Sequence, residues 1–175
     1  MLNNAQLYYF SPTGGTKACA EAFCAGIARN VSFVNLGNQI ADADCELAVF
    51  ALPVFGGRIP AFAAEKIRAL NGTGKKAVTI MVYGTRAYED ALLELNTVTA
   101  GCGFQIVASA AVVAQHSMVP AVGKGRPDQQ DQDDITAFAG KVLEKLECGS
   151  DAPVSVPGNT PYKDGLNLPA ELPPE

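Results

Sequence analysis

The sequence predicts an α/β fold in which one parallel sheet is covered by helices on both faces. Short apolar runs alternate with longer segments whose apolar residues recur at helical spacing. The runs are apolar throughout rather than every second residue, as strands buried on both faces are. At 175 residues and 48% hydrophobic, the chain can bury one substantial core but not two ordinary domains.

The elements read in order. Strands are expected at Gln6 to Phe10, Val31 to Leu36, Leu47 to Leu52, Ala77 to Tyr83 and Ile106 to Ala114. Cys19, Phe23 and Ile27 form one stripe on a helix from about Thr16 to Arg29, with Asn30 as its stop. Pro60 suits the first turn of a second helix carrying Phe62, Ile67 and Leu70, which Asn71-Gly72 ends. A third starts near Tyr88 and buries Leu92, Leu95 and Val98. In the fourth, Asp133 or Asp134 is the expected cap, Ile135, Phe138, Ala139, Val142 and Leu146 the stripe, and Gly149 the end. The expected domain is 1–148. From 149 to 175 six prolines forbid a long helix or central strand, and the segment reads as a tail or linker able to lie extended over the domain.

Composition excludes several classes. The formal net charge is −5 with no Lys/Arg-rich run, which gives nucleic acid no basic face. No apolar run is long enough to span a bilayer, and Met1-Leu2-Asn3-Asn4 has no signal-peptide character, so no membrane partner and a cytoplasmic location are expected. The five cysteines are scattered, without Cys-x-x-Cys spacing; they read as reduced, mostly buried thiols and not as a metal site.

The chemistry is expected at the first strand-to-helix turn. Ser11-Pro12-Thr13-Gly14-Gly15-Thr16 combines hydroxyl donors with glycines that let an anion approach the backbone. The positive end of the following helix faces the same turn. Lys17 is the only cation there, so neutral donors carry the expected binding. A plain helix cap is the simpler alternative. The turn has neither Gly-x-x-x-x-Gly-Lys-Ser/Thr nor Gly-x-Gly-x-x-Gly, and Tyr8-Tyr9-Phe10 lacks the acids of a phospho-receiver.

Ser11, Thr13, Gly14, Gly15 and Thr16 resemble the flavodoxin phosphate loop, Ser/Thr-x-Thr-Gly-x-Thr. Pro53-Val54-Phe55-Gly56-Gly57-Arg58-Ile59-Pro60 and Tyr83-Gly84-Thr85-Arg86-Ala87-Tyr88-Glu89-Asp90 resemble that family's two ring-flanking loops. Both loops look most like the flavodoxin half of anaerobe proteins in which a ferredoxin domain follows. The likeness spans roughly residues 5 to 148, and Val156 to Tyr162 looks like their linker, but no cysteine cluster follows. The resemblance implies a short-chain flavodoxin-like three-layer sandwich with strand order 2-1-3-4-5 and non-covalent FMN. It also implies a redox protein partner, with a ferredoxin or ferredoxin domain as a candidate.

In that frame Phe55 and Tyr88 are expected to stack on the ring, with Tyr88 packing into the third helix as the alternative. Gly56 and Gly57 would bring a peptide to flavin N5, or form a simple tight turn. Arg58 and Arg86 would face the pyrimidine end, and His116, beside Gln115 and Ser117, would reach the flavin edge; solvated arginines and a histidine bonded to its neighbours are the plainer readings. With Lys124 and Arg126 nearby, these cations imply a less negative potential for full reduction than acidic-loop flavodoxins have. No catalytic side chain is required of an electron carrier. A flavin-dependent NAD(P)H or quinone reductase is the alternative. A Ser117 or cysteine hydrolase using His116 lacks the Gly-x-Ser-x-Gly elbow.

Overall fold

The computed structural model describes residues 1–38, 42 and 44–165. Five strands, β1 (Leu2–Tyr9), β2 (Ala28–Asn35), β3 (Leu47–Pro53), β4 (Lys76–Tyr83) and β5 (Gln105–Val113), form one sheet in the order β2-β1-β3-β4-β5. All four neighbouring pairs are parallel. The helices among the described residues are α1 (Gly15–Ile27), α2 (Ala61–Arg68), α3 (Ala91–Gly101) and α4 (Gln129–Glu147).

Alternate residues of each strand feed two cores. Leu7, Val49, Val78 and Ile80 point to the face covered by α1 and α4, where Phe23, Ile27, Ile135 and Val142 are buried. Tyr8, Phe50 and Met81 point to the other, against Ile67 of α2 and Leu95 of α3. The Tyr8 and Phe50 rings stack there at 5.0 Å. Central strands are buried on both faces, as expected, whereas the edge strands β2 and β5 keep partial exposure.

Several boundaries correct the sequence reading. α1 passes straight into β2 at Ala28; Asn30 does not stop the helix but lies inside β2, opposite Asn4. α2 ends at Arg68, before Asn71-Gly72, and Phe62 on it is exposed. α3 begins at Ala91 rather than Tyr88. α4 begins before Asp133 and Asp134: Asp128 is its N-cap, accepting from Asp131 N–H at 3.0 Å while the Asp131 carboxylate accepts from Asp128 N–H at 2.9 Å. Gly149 follows α4 with φ +62°, the left-handed stop expected of it. Cys19 and Cys24 are buried, Cys45 and Cys102 half-buried and Cys148 exposed, all as free thiols.

After α4 the chain has no helix or strand up to Gly165. Val156 packs onto the α2/α3 core, and Gln105 Nε2 donates to Asp151 at 2.8 Å. Pro169, Pro173 and Pro174 lie outside the described residues.

Candidate functional site

In a parallel sheet every strand ends on the same side, so the turns after β1, β3, β4 and β5 gather along one edge. Between β1 and β3 the chain order reverses, and such a switch point opens a crevice. The first turn forms one wall. Gly14 stands at φ +89°, a left-handed conformation that favours glycine, and the turn feeds α1. Lys17 N–H donates to Ser11 Oγ at 3.0 Å and Ala18 N–H to Gly14 O at 2.9 Å. The N–H groups of Gly15 and Thr16 and the hydroxyls of Thr13 and Thr16 have no partner among the described residues. Ser11 therefore fixes the turn, and its neighbours supply the uncommitted donors. The Lys17 ammonium turns back to Glu21 at 3.6 Å.

The segment after β5 forms the facing wall. Together they enclose an open cleft of about 380 Å³, lined by Thr13, Gly14, Gly15, His116, Ser117 and Arg126 among others. His116 Nδ1 accepts from the N–H groups of Met118 and Val119, both at 3.2 Å, which leaves the proton of the neutral ring on Nε2. A side chain at Gly84 would meet the imidazole, so the β4 and β5 loops touch only because Gly84 has none. Arg126 is bound through both Nε and a terminal nitrogen to the Asp131 carboxylate.

The two loops beyond the cleft are tied to each other. Phe55 and Arg58 exchange backbone hydrogen bonds of 2.9 and 3.2 Å across Gly56 and Gly57, whose φ values of +60° and +83° make a two-residue hairpin turn. Gly57 O accepts from Asp90 N–H at 3.2 Å, and a side chain on Gly57 would run into the Glu89 carboxylate. Thr85 and Glu89 hold φ of +53° and +47°, conformations costly for residues with a Cβ. Phe55, 39% exposed, meets Phe10 edge-on at 6.3 Å, and Phe10 meets Phe62 at 4.8 Å. Tyr88 is half-buried against the α2/α3 core, edge-on to Tyr83 at 5.4 Å. Pro53 closes β3, and Val54 N–H donates to Val82 O at 3.0 Å.

Neither Arg58 nor Arg86 stands as an uncompensated cation. Arg58 donates to both oxygens of Glu94, at 2.8 and 2.6 Å, and Arg86 pairs with Glu89. The Glu94 hydrogen bonds hold the guanidinium of Arg58 still more firmly protonated than usual. Glu94 also accepts from Ile59 N–H at 3.0 Å. Sequence reasoning missed Glu94; its signal was a lone acid within an otherwise apolar first half of α3. It also missed Tyr162 and Lys163, which reach Arg58 and Glu89 from the C-terminal segment.

No family model and no curated protein matches this sequence. Solved structures do match. A flavodoxin of Streptococcus pneumoniae TIGR4 aligns with TM-score 0.61 and 18% identity over 81% of this chain and 99% of its own. The FMN-bound flavodoxin of Fusobacterium nucleatum gives 0.60 and 11%, over 82% of this chain and 99% of its own. The Flv1 flavodiiron core of Synechocystis sp. PCC6803 gives 0.64 and 17%, over 85% of this chain and 37% of its own. The chain has the flavodoxin-like fold. No helix among the described residues is long and apolar enough to cross a membrane.

Proposed function

We propose, from the flavodoxin-like fold and the donor-lined turn at its switch point, that this chain binds FMN non-covalently and passes electrons to a redox protein partner. The observation that carries the reading is the cluster of uncommitted donors at the start of α1: the N–H groups of Gly15 and Thr16 with the hydroxyls of Thr13 and Thr16. These groups suit a phosphate, because the helix dipole and the backbone donors act on the same anion without a buried counter-cation. Gly14 and Gly15 leave the approach open. FMN, when bound, supplies the electron chemistry.

The remaining residues have parts of different kinds. Phe55 offers an exposed aromatic face for the ring, and the Gly56-Gly57 turn presents backbone donors and acceptors to its edge. Tyr88 packs on the α2/α3 core and edge-on to Tyr83, at the end of β4. His116 can donate through Nε2 within the cleft. Arg58, paired with Glu94, shapes the loop after β3 more than it adds charge to the ring.

The test is titration of the purified chain with FMN and with riboflavin, followed by visible absorbance and flavin fluorescence. FMN should bind and be quenched, and riboflavin should bind more weakly. In Thr16→Ala the FMN affinity should fall by about 1–3 kcal/mol, the range for losing a hydrogen bond to a charged group, while riboflavin is unaffected. Equal binding of both flavins, or of neither, refutes the phosphate turn. Direct bleaching of bound flavin by NADPH would refute the carrier in favour of a reductase.

A further inference from the structure

Residues 156–163 leave the α2/α3 core and cross the start of α3, where each polar contact falls on a residue of the ring-flanking loops. Asp90 is only 2% exposed. Its Oδ1 accepts from Asn159 N–H at 2.8 Å and from Asn159 Nδ2 at 3.2 Å, and its Oδ2 from Lys163 N–H at 2.7 Å. The same residue donates its own N–H to Gly57 O. One buried aspartate thus joins the C-terminal segment to the glycine turn.

Two further contacts converge there. The Arg58 guanidinium lies 4.8 Å over the Tyr162 ring and donates to Lys163 O at 3.0 Å. The Lys163 ammonium pairs at 2.5 Å with Glu89 Oε2, the carboxylate oxygen that overhangs Gly57. Glu89 carries this charge from a left-handed backbone, φ +47°, which costs energy that its contacts must offset. Gly158 fits flush on Leu93, with no room for a side chain. A segment without helix or strand loses conformational entropy when it lies in one place, and contacts this specific are what hold it.

We propose that residues 156–163 are a strap that positions the Gly56-Gly57 turn, with Asp90, Tyr162 and Lys163 as positioning residues, so that the cofactor site extends beyond α4. The inference rests on the FMN reading for what the turn serves. A passive linker would leave the turn unchanged when the contacts are cut. A strap would not: the turn would keep the Glu94 anchor but lose the support over Gly57 and Asp90, and its cross-turn bonds would open more often.

The experiment uses the full chain, comparing the parent with Tyr162→Ala/Lys163→Ala and with Asn159→Ala. The first readout is amide hydrogen exchange in the absence of flavin. Exchange at Arg58 and Asp90, whose N–H groups donate to Phe55 O and Gly57 O, should become about tenfold faster in the double variant, and less so in Asn159→Ala, while β1 and β4 amides keep the parent rates. The second is the dissociation constant for FMN and for riboflavin. Both should rise by the same factor, about fivefold, because the strap acts on the ring loops and not on the phosphate turn. Parent-like exchange at these two amides overturns the strap. A parent chain that binds neither flavin overturns the FMN reading, and the exchange arm still decides whether the segment holds the turn.

Discussion

Breaking the Arg58–Glu94 pair should cost more than surface ion pairs do, and a double-mutant cycle can show it. The Glu94 side chain is 8% exposed and that of Arg58 27%. Glu94 accepts three hydrogen bonds: two from the guanidinium and one from Ile59 N–H, itself buried. Arg58→Gln strands a buried carboxylate with the Ile59 donor as its main remaining partner. Stranding a fully buried charge costs about 3–5 kcal/mol, and the partial exposure on the Arg58 side places this case near about 3 kcal/mol. Glu94→Gln keeps one acceptor for Ile59 and leaves an arginine that water can reach, for about 1.5 kcal/mol. In the double glutamine variant neither charge is stranded, so its loss should be near about 2 kcal/mol. The coupling is then about 2.5 kcal/mol.

Urea denaturation at pH 7 measures all four proteins. With a slope of about 2 kcal/mol per molar urea, Arg58→Gln should lower the midpoint by about 1.5 M. The coupling should change little with added salt, since a buried pair is poorly screened. A coupling below about 0.5 kcal/mol, the scale of exposed pairs, would refute the reasoning and return Arg58 to the solvated surface.

Asp128→Ala should destabilise the chain by about 1 kcal/mol through loss of the α4 capping box, while Asp133→Ala and Asp134→Ala stay near zero in the same urea assay. The Arg126 guanidinium holds the Asp131 carboxyl below its usual range, and the Lys163 and Asn159 N–H groups do the same for Asp90. A folded value below the unfolded value of about 3.9 gives stability that is present above that pH and lost as pH falls through the folded value. Urea midpoints at pH 7 and pH 3 should therefore differ less in Asp131→Asn than in the parent; an equal difference would exclude the pair as a source of acid sensitivity. Burial pushes the Cys19 and Cys24 thiols up to about 12, so N-ethylmaleimide at pH 8 should label exposed Cys148 first and those two only on unfolding, as mass spectrometry of the labelled chain would read.

What was legible in the sequence was local. Apolar runs mark buried strands because both faces of each run must be covered, and the stripes at helical spacing place α1 and α4. The strand order came with the resemblance of three loops, and the sheet has that order. The cap of α4 was misread because Asp133 and Asp134 stand directly before Ile135, while the Asp128 and Asp131 spacing of a capping box lies one turn earlier. Arg58 and Arg86 read as free cations because Glu94 is distant in sequence and the Arg86–Glu89 pair needs a loop conformation that periodicity does not describe. The strap was least legible: Asn159 and Lys163 meet Asp90 across 69 and 73 residues, and nothing in a proline-rich run says where it docks.

The Arg58 pair and the strap meet in the first turn of α3. Asp90 and Glu94 stand at the positive end of that helix, where a carboxylate is favoured by the dipole. Helix electrostatics alone would leave both acids in water, whereas Asp90 is 2% and Glu94 6% exposed. Their remaining acceptor capacity must therefore be met by other segments, and it is: Asp90 by the strap, Glu94 by Arg58 and Ile59. A helix start that tolerates buried negative charge thus becomes the point where the loop after β3, the loop after β4 and the C-terminal segment are fastened together. The turn at Gly56-Gly57 is held from both sides by buried acids that donors from other segments satisfy, which is why its geometry depends on residues far from it in sequence.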